Sequence, residues 1–387
     1  MGYGRNKMIL FYAWTDTQII NLVNIKLTVY RNDRADLLVY GLSRVSEELL
    51  NEVLAGRIFE NIYFLEVPPF YLERCREGFR EKLGAFFLGG DYRKYFNDRL
   101  TKFLGKKEYS LFLTGAFWSE TLLVIRYLRQ KNEGIKVMFY EEGLAAYNGR
   151  PKWLFRAVPN KGIKATIRTV LYYGFSAYFY RKYVKGIYLY KPELSNIDYI
   201  EKIRIPFSGN QKRFCSGQKN NELSGEKIYQ DSEVIFIAEA MGGKDFCWKG
   251  IFNSILDVIF SVKVNAKVVI KAHPLGDIKE DLSGLEHYTG LYIDRNPERI
   301  ETILSRIWMD DKVVITGNSS SALYLKWLYG KTPHMILMDF RRDRYVEEYI
   351  HRYITYYDDK KAYAPRNMDE LKEILLEIFM VRNKKRG

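Results

Sequence analysis

Short apolar, β-branched runs alternate with amphipathic stretches of helical length along most of this chain. That alternation narrows the possible folds more than any other feature. In the first half the strand-like runs are Met8–Ala13, Ala35–Tyr40, residues 62–67, residues 110–115 and Lys136–Tyr140. Helix-length segments at 18–30, 46–54 and 120–130 separate them, the first opened by the capping set Thr15-Asp16-Thr17. The second half repeats the scheme with strands at 233–238, 266–270, Leu291–Asp294, Val313–Thr316 and 336–338. Its helices are expected at 252–262, from Asn296-Pro297-Glu298 toward Trp308, at 323–329, and at 368–380. Strand and helix in strict turn imply parallel sheets joined by right-handed crossovers, the doubly wound α/β class. A length of 387 residues exceeds one ordinary domain. The expected division is a Rossmann-like domain over 1–190, a second over 191–365, and a terminal helix with a basic tail over 366–387. Two such halves facing across a cleft make the GT-B architecture. Residues 188–205 read as a passage between domains and 210–230 as a polar, lysine-rich loop.

Composition limits the function classes. A hydrophobic share of 47% with 28% charged residues describes a chain with real cores. The formal charge of +14 points to an anionic partner. Between Gly143 and Pro192 no acidic residue occurs, while Arg150, Lys152, Arg156 and Lys161 alternate with Trp153, Phe155, Tyr172 and Tyr173. That stretch fits an anionic membrane surface or a groove for an anionic chain, or a solvated helix with core-facing aromatics. No signature of a nucleic-acid-binding module accompanies it. Cys75, Cys215 and Cys247 are isolated, and the four histidines form no metal-binding spacing, so neither a disulfide scaffold nor a metal site is expected. The N-terminus has no signal-peptide pattern, and no segment offers about 18 uncharged apolar residues. A cytoplasmic protein follows, peripheral at the inner face of the plasma membrane if it meets lipid.

Chemistry-bearing residues stand where strands end, the position at which open α/β sheets bind ligands. The strand at 136–140 runs into Glu141-Glu142-Gly143, two carboxylates before a residue that permits a tight turn. Neighbouring residues of an extended chain point to opposite sides, so one of the pair faces a ligand. The strand at 266–270 runs into Lys271-Ala272-His273-Pro274, where proline ends the strand and leaves an imidazole at its mouth. Met241-Gly242-Gly243 follows the strand at 233–238, either as a turn that lets backbone amides approach a phosphate or as a plain strand-to-helix turn. Glu298 either accepts from a ribose or favours its helix start through the macrodipole. Gly317-Asn318-Ser319-Ser320-Ser321 leads into a helix, and hydroxyls with free N–H groups at a helix start suit a phosphate as well as a simple cap.

The order acidic-acidic-Gly, His-Pro, Ser-Ser, one motif in the first half and two in the second, resembles the bacterial sialyltransferases. These include the capsular polysialyltransferases and the lipooligosaccharide sialyltransferases. The resemblance implies a GT-B inverting transferase that moves sialic acid from CMP-sialic acid to a surface glycan without a metal or other cofactor. It places the general base on Glu142 or Glu141, with Glu142 preferred, and gives His273 of the His273-Pro274 pair the departing CMP phosphate. Ser319, Ser320 or Ser321 would hold the same phosphate, the third serine leaving the register open, and Glu298 would reach the ribose. The implied partners are a CMP-sugar donor, an anionic glycan acceptor and anionic lipid. The motifs do not separate this donor from CMP-Kdo, so a CMP-Kdo-dependent transferase is the alternative within the class, and a basic, non-enzymatic protein for membrane or nucleic acid is the competing class.

Overall fold

The computed structural model describes residues 8–41, 45–66, 90–115, 119–141, 144–147, 178, 182–206, 224–238, 248–272, 282, 284–285, 287–296, 300–317, 324–326, 329–338, 354, 357 and 360–386. The chain divides into two units, Met1–Phe214 and Cys215–Gly387.

The first unit is built on β1 (Met8–Ala13), β2 (Ala35–Tyr40), β3 (Asn61–Leu65), β4 (Tyr109–Thr114), β5 (Lys136–Tyr140), β6 (Val184–Leu189) and β7 (Glu201–Arg204). They form one seven-stranded sheet in the order β3-β2-β1-β4-β5-β6-β7, and every pairing is parallel. Helices α1 (Asp16–Thr28), α2 (Glu47–Ala55), α3 (Gly90–Leu104) and α4 (Ser119–Lys131) lie between the strands in sequence. Strands covered on both faces need apolar side chains on both, and all six residues of β1 and of β2 are buried. Helix α1 starts where expected because Thr15 is its N-cap and accepts from the Gln18 amide at 3.4 Å.

The second unit carries β8 (Val234–Ile237), β9 (Val268–Lys271), β10 (Leu291–Asp294), β11 (Val313–Thr316), β12 (His334–Leu337) and β13 (Ala362–Tyr363). Their order, β10-β9-β8-β11-β12-β13, is the Rossmann order. All pairings are again parallel. Its helices are α5 (Ser224–Asp231), α6 (Trp248–Val262), α7 (Ile300–Arg306) and α8 (Met368–Arg386). Gly290 precedes β10 with φ at +92°, and a Cβ there would stand 2.5 Å from the Ala266 carbonyl, so only glycine fits.

Two stretches differ from the sequence expectation. Residues 188–205, read as a passage, contribute the end of β6 and all of β7 to the first sheet, and the units divide at Phe214, well past residue 190. Ser224–Asp231, read within a loop, is helix α5. Helix α8 is not a separate appendage: Leu371, Leu375, Ile378 and Phe379 belong to the core cluster built on the second sheet and α6. Their spacing puts them on one helical face. Among the described residues no helix is long and apolar enough to cross a membrane.

Candidate functional site

In both sheets the strand order turns back between the first and fourth strands in sequence, β1 and β4 in one, β8 and β11 in the other. Ligands of this class of sheet bind beyond the carboxyl ends of the strands at that point. In the first unit β5 pairs beside β4 and ends at Tyr140, so Glu141 emerges one strand from the turning point. In the second unit Gly242-Gly243 follows β8, His273-Pro274 follows β9, Glu298 follows β10 and Ser319-Ser320-Ser321 follows β11. These four strands are parallel neighbours in one sheet, so their carboxyl ends share one edge. Gly242, Gly243, His273, Pro274, Glu298, Ser319, Ser320, Ser321 and Glu142 themselves lie outside the described residues.

Glu141 is described, and its environment is specific. The side chain has no solvent exposure. Its Oε2 accepts from the Tyr147 hydroxyl and from the Tyr190 amide, the latter at 2.9 Å. Its backbone N–H donates to the Tyr188 carbonyl at 2.9 Å, and its carbonyl accepts from Asn21 Nδ2 at 2.8 Å. Asn21 Oδ1 accepts in turn from the Tyr190 hydroxyl at 3.0 Å, and Asn24 Nδ2 reaches the Pro206 carbonyl at 3.0 Å. Tyr147 continues the network by accepting from the Lys191 amide at 3.3 Å. Glu141 thereby ties the end of β5 to α1 through its backbone carbonyl, and to the 3-10 turn Leu144–Tyr147 and the chain leaving β6 through its carboxyl group. A buried polar group is tolerated only with this kind of partnering.

At the turning point of the first sheet stands a second buried acidic group, which sequence reasoning did not single out. Glu120 stands in the first turn of α4, directly after β4, and is only 6% exposed. Burial first, then the charges of Glu120 and Tyr40, push the Tyr12 phenol well above its ordinary range. A carboxylate in the first turn of a strand-following helix was the available signal, but such residues also serve as plain helix starts.

The edge of the second sheet has a corresponding buried group. Lys271 closes β9 and is 3% exposed. Its ammonium donates to Asp294 Oδ2 at 2.9 Å and to the Asn296 carbonyl at 2.5 Å. Asp294, the last residue of β10, also accepts from the Tyr229 hydroxyl at 2.5 Å and from the Asn296 amide at 2.8 Å.

The fold has distant relatives of known structure. The chain is 10% identical to a putative UDP-N-acetylglucosamine 2-epimerase from Listeria monocytogenes, with a TM-score of 0.58 over 98% of this chain and 89% of that one. It is 11% identical to the calicheamicin glycosyltransferase CalG4, at 0.52 over 97% and 90%. It is 12% identical to UGT2 from Phytolacca americana, at 0.54 over 97% and 90%. These similarities show the GT-B fold. Among proteins of curated function, none matches this chain by sequence. The family model described as alpha-2,8-polysialyltransferase (POLYST) matches residues 5–337, so the chain belongs to the alpha-2,8-polysialyltransferase family of glycosyltransferases.

Proposed function

We propose that this glycosyltransferase moves sialic acid from CMP-sialic acid to a sialylated, anionic glycan acceptor, with inversion at the anomeric carbon. The observation that carries the reading is the family match over 5–337, which takes in every motif singled out in the sequence. Glu142 is the general base. Its neighbour Glu141 is spent on a buried network and has no solvent exposure, which leaves Glu142 to take the acceptor proton. As the new bond forms, the reacting carbon passes through an oxocarbenium-like state and the CMP phosphate leaves. His273 meets that phosphate, while Ser319, Ser320 and Ser321 hold it by hydroxyl and backbone N–H groups. Glu298 reaches the ribose, and the amides of Gly242 and Gly243 complete the nucleotide contacts. The transfer needs no divalent metal, so a chelator leaves the rate unchanged. The excess of positive charge suits a polyanionic acceptor and contact with anionic lipid at the inner face of the plasma membrane.

The test is CMP release from CMP-sialic acid and from CMP-Kdo, each with a sialylated oligosaccharide present. Release and chain elongation with CMP-sialic acid alone are expected. Turnover of CMP-Kdo in its place would reassign the donor. A chain that neither binds CMP nor releases it from either donor is no CMP-sugar transferase.

A further inference from the structure

We infer that Lys271 is a positioning residue for donor binding: through Asp294 and Asn296 it anchors, at one point, the two chain segments that carry His273 and Glu298. The inference rests on the proposed use of a CMP-sugar. It begins from an energetic oddity. Lys271 and Asp294 are 3% and 6% exposed, paired at the ends of two adjacent strands of sequence Val-Val-Ile-Lys and Leu-Tyr-Ile-Asp. Burying two charges costs several kcal/mol per ion before their attraction offsets it, and well-packed apolar residues often do as well or better (roughly 1–4 kcal/mol). Fold stability alone therefore gives little reason for this pair.

The geometry supplies another reason. The Lys271 ammonium holds a side chain of β10 and also the Asn296 carbonyl beyond it, at 2.9 and 2.5 Å. The Asp294 carboxylate returns to the Asn296 amide at 2.8 Å and is fixed from α5 by the Tyr229 hydroxyl at 2.5 Å. The Ala272 amide donates to the Asp294 carbonyl at 3.0 Å. Both the N–H and the C=O of Asn296, and the residue after Lys271, are thus tied to one charged knot. His273 is two residues past Lys271, and Glu298 is two residues past Asn296. Groups that must meet the phosphate and the ribose of one nucleotide leave the sheet from a shared anchor. An apolar pair could fill the same space but could not grip a backbone carbonyl.

The deciding variant removes the knot without leaving an orphaned charge: Lys271→Met, Asp294→Leu and Tyr229→Phe together. Three readings are taken on the full chain: thermal stability, hydrogen exchange across residues 272–299, and steady-state kinetics with the CMP-sugar. The expected result is a folded protein with exchange faster by about tenfold in that window and unchanged in β8 and β11. Donor KM should rise by about tenfold to a hundredfold, with acceptor KM held, because small misplacements of binding groups carry penalties of that size. Unchanged exchange and unchanged donor KM would overturn the inference, and so would faster exchange with donor kinetics intact. Should the triple variant fail to fold, Asp294→Asn keeps the shape while removing the ion pair with Lys271 and one accepting oxygen, and the same readings apply. Should the wild-type chain use no CMP-sugar, the functional reading fails by itself, while an unchanged exchange window still sinks the anchor.

Discussion

Glu141 and Glu142 are adjacent and carry the same functional group, yet the proposed mechanism gives them different work. Glu141 is a structural acid whose Oε2 is held by Tyr147 and Tyr190. Replacing it by Gln puts an amide where two donors converge, and a buried donor left without its acceptor costs about 1–3 kcal/mol. Glu141→Gln should therefore lower the melting temperature by about 3–10 °C, measured by calorimetry, with residual transfer by the protein that remains folded. Glu142→Gln should leave the melting temperature in place and reduce transfer by roughly 10²–10⁴-fold, the usual weight of a general base, measured as CMP release. An active Glu142→Gln protein would remove the base assignment. The pair also marks how far the site could be read beforehand. The two-residue repeat of a strand implies that the two side chains point to opposite sides. That Glu141 is the buried one depended on Tyr147, Tyr190 and Asn21, residues 6, 49 and 120 positions away in the chain. No local pattern contains that information.

At the level of elements, a buried ion pair acquires meaning from the strand end it occupies. Asp36 is the second residue of β2, at the edge opposite the proposed site, and is fully buried. It accepts from Lys107 Nζ at 2.7 Å, from the Tyr109 hydroxyl at 2.6 Å and from Asn61 Nδ2 at 2.8 Å. Burial and the hydrogen bond to Asp36 both push the Tyr109 phenol far above its normal range. This cluster resembles the knot at Asp294 in chemistry but has no ligand segment beyond it. Asp36→Asn should cost about 1–3 kcal/mol by denaturant titration, with donor and acceptor KM at wild-type values. A kinetic change there would mean that distance from the carboxyl edge does not separate scaffold from site. The elements themselves were legible where burial was two-sided, as in β1, β2, β8 and β11, because continuous apolar runs have few other uses. Strand β7 escaped because three of the four residues of its Glu-Lys-Ile-Arg sequence are exposed, the charged dress of an edge strand. Strand β13, two residues long, has no pattern to detect.

For the molecule as a whole, the formal charge of +14 makes binding of the proposed anionic acceptor the step that salt should weaken. Raising ionic strength from about 0.01 M to about 0.15 M shortens the screening length from roughly 30 to roughly 8 Å. KM for a long polyanionic acceptor should rise severalfold over that range while KM for a neutral acceptor analogue holds. Equal response of the two would assign the positive charge to something other than the acceptor. Each sheet draws all its strands from one continuous half of the chain, the first complete at Arg204 and the second starting at Val234. That arrangement has a consequence for synthesis. At about 5–20 residues per second the first sheet can close on the ribosome while the second is still being made. The second half has no such freedom, since Leu371, Leu375, Ile378 and Phe379 complete its core from the final helix. Its core stays incomplete until residues 371–379 have been made, so a chain cut before residue 368 should be one that chaperones retain.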